Sequence, residues 1–158
     1  FEGNARLKAV GYARALGDRC LAVDSGLEVD ALGGAPGVRS ARYAGTTGTR
    51  DERDRANNDR LLAALRGVPA ADRTARFVCA VCVADPDGTI VAEARGTYEG
   101  RVADAPRGAG GFGYDPLLYL PDVGCTSAEL TPAAKNARSH RSAALRALVP
   151  LLLGARRG

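Results

Sequence analysis

Residues 76–98 set the strongest constraint on how this chain folds. Two β-like runs, 76–84 and 89–98, flank Asp85-Pro86-Asp87-Gly88, a strong turn signal, and together they predict an antiparallel hairpin. The first run holds FVCAVCVA, in which Cys79 and Cys82 form the chain's one C-x-x-C. In a strand, residues three apart point to opposite faces, so these two thiols cannot share a metal or a disulfide. They read as buried structural cysteines, and with Cys20 and Cys125 and no second pair they give no zinc framework.

Around that hairpin the other elements follow from period and punctuation. Residues 4–16 place Ala5, Ala9, Ala13 and Leu16 on one helical stripe, with Asn4 as the expected cap and Gly17-Asp18 as the stop. CLAV (20–23) reads as a short strand ending at Asp24-Ser25-Gly26, and 27–32 as a second arm alternating apolar and acidic residues. A helix is expected over 51–66, acidic at its start and closed by Gly67. A glycine-rich loop (106–116) precedes a short strand, 117–120, and Thr131-Pro132 reads as cap and first helical residue. The last helix carries Leu145, Leu148, Val149 and Leu152 at i, i+3, i+4 and i+7 and ends at Gly154. The order predicts an α/β or α+β class, a mixed sheet with flanking helices, undivided by any linker.

Length and composition narrow the function classes. The 158 residues fit one domain, 1–158, and 46% hydrophobic with 25% charged residues excludes a disordered chain. No apolar run approaches the ~20 residues of a membrane helix. No secretory signal region is visible, so the expected compartment is cytoplasmic. The net charge of +4 raises nucleic acid as a partner, but 22 basic residues are interspersed with 18 acidic ones and aromatics are only 5%. A small anionic ligand suits that balance better. Only Lys8 and Lys135 are lysines among the 22 basic residues. A lysine kept among so many arginines suits a site needing a compact ammonium, although on the count alone chance weighs about equally. The chain also has no methionine and begins at Phe1, directly on helix-like sequence, so its N-terminus is expected to be cut.

Three clusters could carry chemistry. Asp24-Ser25-Gly26 at an expected strand end is a place where α/β sheets bind ligands, or else an Asx-turn. RGAGGFGYDP (107–116) contains G-x-G-x-x-G, but a strand follows instead of a helix, so the dinucleotide reading fails. Its glycines admit close backbone approach, with Phe112 or Tyr114 for a flat ring and Asp115 for a polar edge; a plain surface connection is the alternative. The third joins Lys135 with Ser139-His140-Arg141. Ser139 is accounted for as an N-cap, whereas His140 and Arg141 put two donors at a helix start where anions bind. Without a G-x-S-x-G elbow, a hydrolase triad from Ser25, His140 and Asp24 has no support.

Taken together, FEGNARLKA (1–9), LAVDSGLEVDALGGAPGVRSARYAG (21–45), ARF (75–77), GGFGYDPLLY (110–119) and TSAELTPAAKNARSHR (126–141) resemble the inosine/xanthosine triphosphate pyrophosphatase family. The resemblance implies an elongated, two-lobed α/β fold, a homodimer, and Mg²⁺-dependent hydrolysis of deaminated purine nucleoside triphosphates to monophosphate and pyrophosphate. It implies Asp24 as metal-associated base, Ser25 beside the substrate, and Lys8 on the phosphates. Phe112, Gly113, Tyr114 and Asp115 would cradle base and sugar, with Lys135, His140 and Arg141 completing the pocket. Nucleic acid and membrane are not implied partners. The family usually has an acidic residue where Val23 stands. It also opens with a strand, a phosphate loop and a metal-binding Glu that this chain does not contain, so the chain is expected to be weak or inactive by itself. Two rival readings are a Maf-like pyrophosphatase of other nucleotides and a nucleotide-binding module without catalysis.

Overall fold

A computed structural model describes residues 1–155. Its elements are α1 (Glu2–Leu16), β1 (Cys20–Val29), α2 (Arg50–Ala64), β2 (Thr74–Ala84), β3 (Ile90–Val102), β4 (Leu118–Leu120), β5 (Cys125–Thr126), α3 (Pro132–Arg138) and α4 (His140–Ala155). The five strands form one sheet in the order β1-β2-β3-β4-β5. β4 pairs antiparallel with β3 (Val102 opposite Leu118) and with β5 (Tyr119 opposite Thr126). The α/β class, the flanking helices and the hairpin are as the sequence implies. At the hairpin turn the Asp85 amide donates to the Thr89 carbonyl at 2.9 Å, and the Gly88 amide to the Asp85 carbonyl at 2.9 Å.

The chain divides into two compact units, one built from Phe1–Ser25, Val78–Thr97 and the chain from Arg138 onward, the other from Gly26–Phe77 and Tyr98–Ala137. In the first unit the strands are covered on both faces. Ala5 and Ala9 of α1 pack on Ala22, Ala80, Cys82 and Ala84, while Cys79, Val81 and Val83 face Ala92, Ala144 and Leu148. The two cysteines of the C-x-x-C therefore lie in different cores, as strand alternation requires. Burial pushes both thiols up in pKa. Small residues along α1 bring that helix close to the sheet, and Gly96 does the same for α4. A β-carbon at Gly96 would overlap the His140 carbonyl and the Ala144 amide nitrogen.

That close approach corrects the expected face of the last helix. Leu148 is 1% exposed and Leu152 packs beside it, but Leu145 and Val149 are about half exposed. The inward line is Ala144–Leu148, with Leu152 partly buried beside it, and the backbone of α4 at 140–144 lies directly against Gly96.

The second unit centres on Leu27, Val29, Leu61, Leu65, Tyr114, Leu117, Leu118 and Leu120. α2 opens with a reciprocal cap: the Glu52 amide donates to Thr49 Oγ1 at 3.3 Å and the Thr49 amide to Glu52 Oε2 at 2.7 Å. Here the expected break after Val23 does not occur. β1 runs unbroken from Cys20 to Val29, and 30–32 form a 3₁₀ turn instead of more strand. Asp24 thus sits inside a strand and not at its end. Its carboxylate is satisfied by side chains of α1, so it has no need to fold back on its own backbone as an Asx-turn does.

Candidate functional site

The first cluster lies where α1 crosses β1. Lys8 Nζ donates to Asp24 Oδ1 at 2.6 Å and to the Val23 carbonyl at 3.2 Å, and Asn4 Nδ2 donates to Asp24 Oδ2 at 3.2 Å. Asn4 and Lys8 are one turn apart on the same helical face. Asn4, expected from the sequence as the helix cap, lies inside α1, which begins at Glu2, and its amide is spent on Asp24. Its poor helix propensity was the available signal, since an asparagine inside a helix needs a reason. The Asp24 side chain is 15% exposed and that of Lys8 44%, so the pair is reachable from solvent.

Strand alternation sends Ser25 to the opposite face from Asp24. Ala22 belongs to the core under α1 and Val23 to the core under α4, so Ser25 shares the α4 side. His140 and Arg141 open α4, whose start is capped as expected, the Ser142 amide donating to Ser139 Oγ at 3.1 Å. On this side Cys79 is raised in pKa by burial first, with the Arg141 charge opposing and the Asp24 charge adding.

The second cluster is the loop 110–116 with its supports. Asp115 is 3% exposed and fully engaged: Ser127 Oγ donates to Oδ1 at 2.8 Å, the Phe112 amide to Oδ2 at 2.8 Å, and Lys135 Nζ also to Oδ2. Tyr114 is buried and its hydroxyl donates to the Ser40 carbonyl at 2.8 Å. Burial first, then the neighbouring Tyr43 and Asp54, push that hydroxyl far up in pKa, so it remains a donor. Phe112 keeps 47% exposure, with Lys135 Nζ 4.9 Å and Arg50 Cζ 4.8 Å from its ring centre. Gly113 has φ +61°, a left-handed conformation natural for glycine. The loop is therefore a built feature and not a slack connection. One buried carboxylate gathers an ammonium, a hydroxyl and a backbone amide, and the aromatic ring is held in the open.

Each lysine thus pairs with an aspartate, Lys8 with Asp24 and Lys135 with Asp115. Residue type and motif single out these four residues but not their pairing, because the partners stand 16 and 20 positions apart. Nothing local in the sequence marks Asn4 as a partner of Asp24, or points to Ser127 and the α2 residues that hold the loop.

Among the described residues no three His, Cys, Asp or Glu side chains gather into a metal cluster. Asp24 is the carboxylate at the first site, and Val23 beside it offers no ligating side chain. Mg²⁺ is commonly held by one or two carboxylates, so Asp24 is the residue at this site that could hold such an ion. No helix among the described residues is long and apolar enough to cross a membrane.

A dITP/XTP pyrophosphatase of Geobacillus kaustophilus is 54% identical over 145 residues, 92% of this chain and 69% of that protein. One of Nitratidesulfovibrio vulgaris is 54% identical over 153 residues, covering 96% and 73%. The solved structure of the Staphylococcus aureus Ham1 protein superposes with a TM-score of 0.87 at 43% identity, covering 98% of this chain and 77% of that one. The Ham1 family model matches residues 1–151, and with identity at this level over nearly the whole length, the chain belongs to the Ham1 family.

Proposed function

We propose that this chain is a nucleoside triphosphate pyrophosphohydrolase that cleaves deaminated purine nucleoside triphosphates (ITP, dITP and XTP) to the monophosphate and pyrophosphate. The observation that supports it most is the kinship itself, 54% identity across 92% of the chain to a protein named for dITP and XTP. Both lysine–aspartate pairs lie in segments that belong to this kinship.

Asp24 is the base in this reading. Its carboxylate, oriented by Asn4 and Lys8, takes a proton from the water that attacks phosphorus at the α–β anhydride, and pyrophosphate leaves with the bridging oxygen. Lys8, flexible and partly exposed, moves its ammonium onto the phosphates. Mg²⁺ held by Asp24 and the phosphates would supply neutralising charge, the main requirement in phosphoryl transfer. Phe112, Gly113, Tyr114 and Asp115 cradle base and sugar, with Lys135 fixed on Asp115. Ser25, His140 and Arg141 serve on the α4 side, where His140 and Arg141 present donors to a 6-oxo purine. Adenine places an amino donor there, and a buried donor left unmatched costs ~1–3 kcal/mol, roughly 5- to 150-fold against ATP. In this reading these residues belong to one pyrophosphatase domain over 1–158, working in the cytoplasm as a homodimer.

The test is pyrophosphate release across a panel of ITP, dITP, XTP, ATP and pyrimidine triphosphates, with Asp24→Asn alongside. Release from ITP and XTP well above ATP, abolished in Asp24→Asn while nucleotide still binds, is the expected result. Equal turnover of pyrimidine triphosphates, or undiminished turnover by Asp24→Asn, would remove the assignment.

A further inference from the structure

One face of α2 is spent on the aromatic loop. Arg50, Asp54 and Asn58 stand at i, i+4 and i+8, and each touches residue 112 or 113. The Arg50 guanidinium lies over the Phe112 ring. The Gly113 amide donates to Asp54 Oδ2 at 2.8 Å, and Asn58 Nδ2 donates to the Gly113 carbonyl at 3.1 Å. Both polar groups of one backbone residue are thus held by two side chains a single helical turn, about 5.4 Å, apart. The chemistry is matched, an acceptor for the N–H and a donor for the C=O. The two positions cannot be exchanged without setting like against like.

A second observation says why Asn58 is there. Asn58 is 7% exposed, and its Oδ1 is buried with no hydrogen-bond partner. A stranded acceptor is costly in an interior, and a leucine of similar size would be cheaper at this buried point of the helix. Its amide nitrogen, which reaches Gly113, is the half of the side chain with a use. Nearby Asn57 has both halves engaged, accepting from the Ala44 amide and donating to the Ser40 carbonyl. Of these two neighbouring asparagines, only Asn58 keeps a stranded oxygen. The Ser40 carbonyl that Asn57 reaches is also where the Tyr114 hydroxyl is anchored, so α2 and Tyr114 share one support.

We propose that Asp54 and Asn58 are positioning residues that lock Gly113 in its left-handed conformation and thereby fix Phe112 and Tyr114 for the purine. Neither touches substrate in this account. The inference rests on the reading of 112–115 as the nucleotide cradle and adds to it which residues set the cradle's shape. Asn58 is kept for position at a cost in stability.

The experiment compares the unaltered protein with Asp54→Ala, Asp54→Asn and Asn58→Leu by steady-state kinetics on ITP, by thermal unfolding, and by amide exchange at Gly113. Asp54→Ala is expected to raise KM about tenfold with kcat changed less than about twofold, and to speed exchange at Gly113. Asp54→Asn retains an acceptor oxygen and is expected to recover KM to within about threefold. Asn58→Leu is expected to raise KM similarly while its Tm stays level or rises, which a merely structural asparagine would not allow. Unchanged KM in Asp54→Ala and Asn58→Leu, or a fall in Tm parallel to the rise in KM with no rescue by Asp54→Asn, overturns the proposal. Turnover of ITP no faster than that of ATP by the unaltered protein would instead overturn the functional reading beneath it.

Discussion

Replacing Lys135 by methionine is expected to destabilise the protein by about 2–3 kcal/mol, for a reason that lies in Asp115. That carboxylate is 3% exposed, and of its three donors only Lys135 is charged. Removing one partner of a buried ion pair costs about 3–5 kcal/mol because the other charge is left without compensation. Two features bring the figure down. The Phe112 amide and Ser127 hydroxyl still donate to Asp115, and the Lys135 side chain is itself 21% exposed. Methionine keeps the apolar stem beside the Phe112 ring, so lost packing contributes little. At this chain length the deficit corresponds to a Tm lower by about 5–10 °C. Urea unfolding followed by circular dichroism measures it, with thermal melts as a second reading. The double variant Asp115→Asn/Lys135→Met supplies the control. An asparagine can accept from the Phe112 amide through its one carbonyl oxygen and donate its NH₂ to the Ser127 hydroxyl, which turns to accept, and it carries no charge to strand, so at least half of the lost stability should return. A deficit below about 0.5 kcal/mol, the range of ordinary surface substitutions, would refute the argument. So would a double variant no more stable than Lys135→Met.

Two further outcomes follow from the packing and the charges. Gly96→Ala should cost about 1–3 kcal/mol in the same unfolding assay, because its β-carbon meets backbone of α4 that cannot turn aside, and an unchanged midpoint would show that α4 lifts freely. Arg76 pairs with Asp30 and Glu99, and its hydrogen bond, then that of Thr74, holds the Asp30 carboxyl from its ordinary 3.8 down to about 2. A depressed carboxyl contributes stability that is present above pH ~4 and lost as pH falls through 2. With 46% of the Asp30 side chain exposed, screening limits the contribution to about 1 kcal/mol or less. Asp30→Asn should therefore narrow the gap between urea midpoints at pH 5 and pH 2.5; an undiminished gap would place the acid sensitivity elsewhere.

The hairpin, both long helices in the first half and the capped start of α4 could all be read along the chain, because each depends on neighbours within a few residues. Asp85-Pro86-Asp87-Gly88 turns on its own backbone, and Ser139 caps with its own hydroxyl. β1 could not be read that way. Asp24-Ser25-Gly26 has the composition of a turn, and it stays extended because Asn4 and Lys8, from another element, take up the carboxylate. Likewise Leu145 and Val149 belong to a helical stripe on paper, and only the docking of α4 against Cys79, Val81, Val83 and Ala92 turns Ala144 and Leu148 inward.

The same division runs through the candidate site. The sequence alone singled out Lys8, Asp24, Phe112–Asp115, Lys135, His140 and Arg141, since residue type, rarity and motif are local properties. It could not pair each lysine with its aspartate, nor see that α2 carries Arg50, Asp54 and Asn58 on the face turned toward Gly113. Those contacts join residues up to 62 positions apart (112 − 50 = 62). Hydrogen bonds and ion pairs act over about 3 Å of space, whatever the separation along the chain. Which carboxylate is satisfied and which amide is left stranded is therefore settled only when the helices have docked.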